Sequence, residues 1–207
     1  MDKIIGILDY GMGNINSVYN SLSYLGYEPE IVKTAQAIER CSHLIIPGVG
    51  SYAVAMANIA SLEVDAAIMK HVHEGKPLLG ICLGMQILST EGEEGGYSKG
   101  LGLIDGKVQF LDLPDLPVPH VGWNSLTFNF DHPICNNLKK HVDFYFVHSY
   151  FFNASDTSNV LALTDYGKQF PAIVVKENVI GIQFHPEKSQ DNGLLLLENF
   201  CEWGGEC

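Results

Sequence analysis

Arginine is almost missing from this 207-residue chain. Arg40 stands alone, and 12 lysines and arginines in total face 24 aspartates and glutamates, a formal charge of -12. So acidic a surface repels phosphate backbones and anionic lipid, which disfavours a nucleic-acid binder or a membrane-surface protein. Long apolar runs are missing too: stretches such as 194–197 fall far short of the roughly 18 residues that cross a bilayer. The start, Met1-Asp2-Lys3-Ile4, lacks a signal-peptide pattern. The five cysteines (Cys41, Cys82, Cys135, Cys201 and Cys207) are odd in number, widely spaced and without a Cys-x-x-Cys pair. Neither a disulfide framework nor a zinc site is expected, and a reducing, cytoplasmic setting is the natural expectation. His71 and His73 lie two apart in a helical stretch and point to different faces, so no metal site is expected there either.

What is present is 46% hydrophobic residues, enough for one sizeable core, and the expectation is a single domain over residues 1–207. Short apolar runs closed by glycine or proline recur at 4–8, 30–32, 43–46 and 78–81, with helix-compatible segments such as 17–25 between them. This alternation reads as an α/β fold of βαβ units, a mixed, mostly parallel central sheet with helices on both faces. The first helix is expected to be capped near Asn16 or Ser17 and to stop at Gly26; the second runs from Tyr52 toward Glu74 with a break near Ser61. Beyond Glu91 a glycine-rich loop gives way to period-2 and aromatic runs at 107–111, 123–130 and 143–152, read as antiparallel strands or hairpins added to one side of the sheet. The proline-rich 114–119 reads as a loop. Strands at 172–175 and 179–184 and an amphipathic helix around 193–202 follow.

The most informative stretch is Pro77-Leu78-Leu79-Gly80-Ile81-Cys82-Leu83-Gly84-Met85-Gln86. An apolar strand runs straight into Gly-x-Cys-x-Gly and a helix-compatible sequence, the cysteine version of a nucleophile elbow. Glycines on both sides let the chain turn sharply and leave the side chain exposed at a strained corner. A cysteine at a helix N-terminus also favours thiolate over thiol. By itself the motif fits a buried structural cysteine equally well.

A second constellation shifts that balance. Gly181-Ile182-Gln183-Phe184-His185-Pro186-Glu187 closes an apolar strand with a histidine and a carboxylate two residues apart, facing the same way in extended backbone. A nucleophile needs a base and the base needs an orienter, so His185 can take the Cys82 proton while Glu187 fixes its tautomer. Third, Ile45-Ile46-Pro47-Gly48-Val49-Gly50 ends another strand in a glycine-flanked loop on the carboxyl edge of the sheet, where ligand sites collect. Backbone N–H groups of Val49 or Gly50, with that of Leu83, are candidate donors to an acyl-transfer oxyanion. The run Asp9-Tyr10-Gly11-Met12-Gly13-Asn14 lacks the third glycine of a dinucleotide fingerprint and is read as a false positive.

These runs, together with Pro119-His120-Val121-Gly122-Trp123-Asn124, Tyr145-Phe146-Val147-His148-Ser149-Tyr150 and Lys188-Ser189, carry a resemblance that covers nearly the whole chain. The sequence resembles the class I (triad) glutamine amidotransferases, and within them the glutaminase subunits of imidazole glycerol phosphate synthases in histidine biosynthesis. The resemblance implies an amidotransferase-like fold with a flavodoxin-like core, and no metal or organic cofactor. It assigns hydrolysis of glutamine to glutamate and ammonia, through a γ-glutamyl thioester, to Cys82, His185 and Glu187. By the same transfer Gln86, Ser149 and Tyr150 contact bound glutamine. The implied partner is a (β/α)8-barrel cyclase subunit, forming a heterodimer and receiving ammonia through a protected channel, with Asn14, Trp123 and Lys188 at partner-facing positions. Two departures stand out: Asn16, where the biosynthetic enzymes often carry a basic residue, and Ser89-Thr90-Glu91-Gly92-Glu93-Glu94, where an aromatic-Glu-Ser-Glu-Glu run is usual. They leave open a paralogous glutaminase that feeds a barrel partner in amidination of bacterial surface sugars.

Overall fold

The computed structural model describes residues 3–139 and 142–206. Met1 and Asp2, part of the chain start read above, and Cys207 lie outside them. The N-terminal part alternates strand and helix: β1 (Ile5–Leu8), α1 (Ile15–Tyr24), β2 (Glu30–Val32), α2 (Ala35–Arg40), β3 (His43–Gly48), α3 (Tyr52–Ser61), α4 (Asp65–His73), β4 (Leu78–Cys82) and α5 (Leu83–Gln86). Strands then dominate: β5 (Glu91–Gly92), β6 (Ser98–Lys99), β7 (Gly106–Phe110), β8 (His120–Ser125), β9 (Thr127–Phe128), β10 (Asp143–His148), β11 (Tyr150–Ala154), β12 (Val160–Asp165), β13 (Gln169–Lys176) and β14 (Val179–Ile182), before α6 (Gln190–Glu202).

The central sheet has eight strands in the order β2-β1-β3-β4-β14-β13-β12-β9. From β2 to β14 the pairs are parallel; from β14 to β9 they are antiparallel. β1, β3 and β4 are buried at every position, which is why they read as unbroken apolar runs: a strand covered on both faces has no solvent side to make polar. Alternate residues serve opposite faces. Ile7 and Leu79 pack with α1 and α6 (Leu22, Leu196, Phe200), whereas Leu8 and Leu78 pack with α2 to α5 (Ile38, Ile59, Ile68, Met85).

Several expectations are met with shifted boundaries. α1 begins at Ile15 with Asn14 as its cap, two residues before the expected site, and ends before Gly26, which takes φ +90. The helical stretch from Tyr52 breaks after Ser61 into α3 and α4, bent by 91° around Glu63 at φ 55. No single helix among the described residues is long and apolar enough to cross a membrane. α2 and β12 were not anticipated; α2 is a short helix signalled only by its Thr34 cap, whose Oγ1 accepts from Ala37 N–H at 3.3 Å.

The antiparallel part departs from the expected edge addition. Among the described residues only β9, β12 and β13 extend the central sheet in antiparallel pairing; β8 pairs with β10 in one small sheet, and β11, β7, β5 and β6 form another. The aromatic run at 143–152 breaks at Ser149 into β10 and β11, which belong to different sheets. The reason lies in packing. β10 turns Phe144 and Phe146 inward onto Phe184, with Phe144 stacked on it at 4.1 Å, so this strand lies over a face of the sheet rather than at its edge.

Candidate active site

Cys82 closes β4 and caps α5 at φ 55, ψ -109. A non-glycine residue held there costs on the order of 1–3 kcal/mol and persists only where its surroundings fix it. They do so by close approach. A Cβ on Gly84 would land on the Ile46 carbonyl, and one on Gly80 on the Gly84 backbone, so β3, β4 and α5 meet at a corner that admits no side chain. The sulfur is near the Val147 carbonyl, to which it donates at 3.9 Å, and it accepts from Gln183 Nε2 at 3.7 Å.

His185 follows β14, and its N–H donates to the Tyr145 carbonyl at 2.8 Å. Ser189 Oγ clamps the turn, donating to His185 O at 2.6 Å and accepting from Tyr145 N–H at 3.0 Å. Pro186–Lys188 is a 3₁₀ turn rather than the extended backbone that the spacing suggested. The turn brings the pair together all the same: His185 Nδ1 and Glu187 Oε1 are 2.8 Å apart. Their side chains are 2% and 1% exposed, although solvent reaches the Glu187 backbone. Burial pushes the imidazole down, but the neighbouring Cys82 sulfur and Glu187 carboxylate outweigh it and lift His185 to about 10. Nδ1 is held by Glu187, while Nε2 has no partner among the described residues that meets hydrogen-bond geometry. Cys82 therefore acts on the ring by proximity and charge, and such bonds commonly tighten only when substrate arrives.

Cys82 and His185 open onto a cavity of about 320 Å³. Val49, Gly50 and Leu83 line it beside the sulfur, and Gln86, Ser149 and Tyr150 line it as well, so the loop after β3, the elbow and the β10–β11 junction meet in one place. Gly50 takes φ +110, and as the first residue of α5 Leu83 has an N–H without an intrahelical acceptor. Gln86 is buried, its amide nitrogen engaged with Tyr150 O at 2.9 Å and Gln183 Oε1 at 3.2 Å.

Four lining residues escape the sequence reading: Pro119 and Val147, and two titratable ones, Glu94 and His148. Glu94 accepts from Tyr52 N–H at 3.0 Å and so caps α3 from a distant loop; burial raises its carboxyl. Its run shows in the sequence only as a departure from a usual pattern. His148 also lines the cavity, its Nδ1 2.8 Å from Tyr150 O and its Nε2 3.0 Å from His120 Nδ1. Burial drives His148 down to about 3 and His120 to about 4, so both are neutral. A histidine inside an aromatic run carries no signal that separates wall from core.

Outside the cavity, Trp123 is 48% exposed and stands edge-on to Tyr145, ring centroids 6.1 Å apart. Exposed Lys188 places Nζ 5.9 Å from the same ring. Asn14 accepts from Ser17 Oγ at 2.8 Å at the head of α1, and α1 and β10 both pack against the Pro186–Lys188 turn. Trp123 and Lys188 thus flank one half-buried ring on the strand that holds His185.

Residues 6–202 match the family described as glutamine amidotransferase class-I. The chain is 44% identical over 199 residues to the imidazole glycerol phosphate synthase subunit HisH of Caldanaerobacter subterraneus subsp. tengcongensis, covering 96% of this chain and 98% of that protein. It is 45% identical to the protein of the same name from Symbiobacterium thermophilum, covering 99% and 94%. Among solved structures, PurLQS from Thermotoga maritima superposes with a TM-score of 0.78 at 23% identity, over 97% of this chain and 98% of that one. A glutamine amidotransferase crystal structure gives 0.74 at 23% identity, over 95% and 98%; at such identity the likeness is one of fold. With a family match across nearly all of its length and relatives this similar from end to end, the chain belongs to the class I glutamine amidotransferases.

Proposed function

We propose that this chain is the glutaminase subunit of an imidazole glycerol phosphate synthase, a single domain over residues 1–207 that hydrolyses glutamine and passes the ammonia to a (β/α)8-barrel cyclase in a heterodimer. The observation that carries the chemistry is Cys82, held at φ 55 on its elbow and sharing one cavity with His185, which is paired behind it to buried Glu187. His185 takes the Cys82 proton and sulfur attacks as thiolate. Its electron pair forms a bond to the side-chain carbonyl carbon of glutamine, and the N–H groups of Val49 or Gly50 and Leu83 hold the oxyanion. Collapse breaks the carbon–nitrogen bond while His185 returns the proton to the leaving nitrogen. Ammonia departs and a γ-glutamyl thioester remains. Water, giving a proton to His185, attacks the thioester; glutamate leaves and the thiol is restored. Gln86, Ser149 and Tyr150 wall the substrate chain, and the Glu94 carboxylate suits its α-ammonium. The four described cysteines are free thiols, and a thiol nucleophile suits a reducing, cytoplasmic setting.

Ammonia released without an acceptor is wasted, so activity is gated by the partner. The loop around Gly50 holds its donor turned away until the barrel docks over Asn14, Trp123 and Lys188. The test is affinity purification of the chain from its own cells, then glutaminase assays with the barrel that comes with it. Capture of the histidine-pathway cyclase, with kcat raised by orders of magnitude and a smaller change in KM, supports the proposal. Capture of a surface-sugar barrel reassigns the acceptor to the paralogous pathway. Full activity in the isolated chain, unchanged by any barrel, contradicts gating.

A further inference from the structure

Gln183 stands two residues before His185, fully buried at 0% exposure, its backbone N–H pinned to the Ala172 carbonyl at 2.9 Å. The mechanism above leaves it without a task. Around it run hydrogen bonds whose directions can be fixed from one end. The Tyr150 backbone carbonyl can only accept, so the Gln86 atom 2.9 Å from it is the NH2 group. That same NH2 lies 3.2 Å from one amide atom of Gln183, which must then be the oxygen. The Gln183 NH2 is thereby turned to Cys82 Sγ at 3.7 Å.

We infer that Gln183 donates a hydrogen bond to the Cys82 thiolate, and that Gln86 is a positioning residue that locks the Gln183 amide in its donating orientation. The inference rests on Cys82 being the nucleophile. A donor already aimed at the sulfur in a water-poor site stabilises the anion without reorganising when charge develops. Bonds to an ionised partner are also stronger than neutral ones. The network starts at Tyr150, in the wall that faces substrate, and ends on the sulfur, so two buried amides join the glutamine contact to the nucleophile.

The experiment alkylates the full-length chain with iodoacetamide over a range of pH and follows Cys82 against Cys41, Cys135 and Cys201 by peptide mass spectrometry. Gln183→Glu keeps the shape and replaces the donor by carboxyl oxygen; Gln183→Met removes the donor. Gln86→Met leaves Gln183 in place but frees its amide to turn. In the unmodified sequence Cys82 reacts fastest near neutral pH. Its rate there falls about tenfold in Gln183→Glu, the equivalent of one unit along the pH axis. It falls less in Gln183→Met and least in Gln86→Met, and all converge at high pH, where ionisation no longer needs a donor. Folding is checked by circular dichroism, and if Gln183→Glu does not fold, Gln183→Met and Gln86→Met decide. Folded variants with unchanged rates and pH profiles overturn the Gln183 assignment alone. A Cys82 no more reactive than the other thiols in the unmodified sequence overturns the nucleophile assignment on which it rests.

Discussion

Two regions of the molecule, the parallel half of the central sheet and the strands laid over it, contribute different things to one cavity. On the parallel side, β3 and β4 end in corners that present backbone: the loop through Val49 and Gly50, and the Cys82 elbow pressed against Ile46. Across the cavity, β10 and β11 of the two small sheets and the turn after β14 present His148, Tyr150 and His185, with His148 Nδ1 2.8 Å from the Tyr150 carbonyl and His185 Nδ1 2.8 Å from Glu187 behind it. Strain is held where a sheet buried on both faces can resist it; titratable groups are held where a network can orient them. The account therefore predicts different failures on the two sides.

The largest effect is removal of the sulfur. Cys82→Ser lowers glutamine-dependent turnover by about a thousandfold or more. In the proposed heterodimer the complex still uses added ammonium, because the proposed acceptor site lies on the barrel. Steady-state assays with each nitrogen source check this. His185→Asn comes next, with Glu187→Gln milder. The double variant is no slower than His185→Asn alone, since members of a triad act as a unit; multiplied losses would separate the two residues.

Gly84→Ala breaks the parallel side through packing alone. Its Cβ meets the Ile46 carbonyl, and a urea titration should show about 3 kcal/mol or more of lost stability. Gly26→Ala, at φ +90 with open space around it, costs only about 1 kcal/mol by the same titration.

Stability against pH separates the histidines. His71, His120 and His148 are pushed by burial to about 4, 4 and 3. The unfolded chain binds protons near 6.5 that the fold refuses, so their contribution is present above 6.5 and lost as pH falls through that window toward 4. His185 is lifted to about 10, so its contribution is full below 6.5 and lost as pH rises toward 10. Denaturation midpoints measured from pH 4 to 10 should peak near 6.5, and His185→Asn should flatten the alkaline limb only up to about 9. Above that the thiols Cys41, Cys135 and Cys201, raised by burial to about 11, 12 and 12, ionise in the unfolded chain. The smallest effect on the isolated chain belongs to Trp123→Ala, which leaves circular dichroism and basal glutaminase unchanged while reducing stimulation by the barrel.

The same division governs what the sequence made legible. β1, β3 and β4 announce themselves because parallel burial makes them uniformly apolar and glycines end them, and the Gly-x-Cys-x-Gly spacing places the corner. His185 and Glu187 were readable as a pair, though their meeting depends on a 3₁₀ turn that two-residue spacing does not reveal. Hidden were features made by tertiary contact. Ser149 carries no turn signal where β10 passes into β11, Glu94 reaches the cavity from a loop that also caps α3, and His148 looks like any buried aromatic neighbour.

The central claim, that the corner and the network act together on one thioester, is tested most directly by acid-quenching the chain with its barrel partner during turnover of glutamine. Peptide mass spectrometry then locates the γ-glutamyl group. The account predicts the adduct on Cys82 and on none of the other cysteines, with its level falling to background in His185→Asn. Steady turnover with no adduct on Cys82, or an adduct on another cysteine, would contradict it.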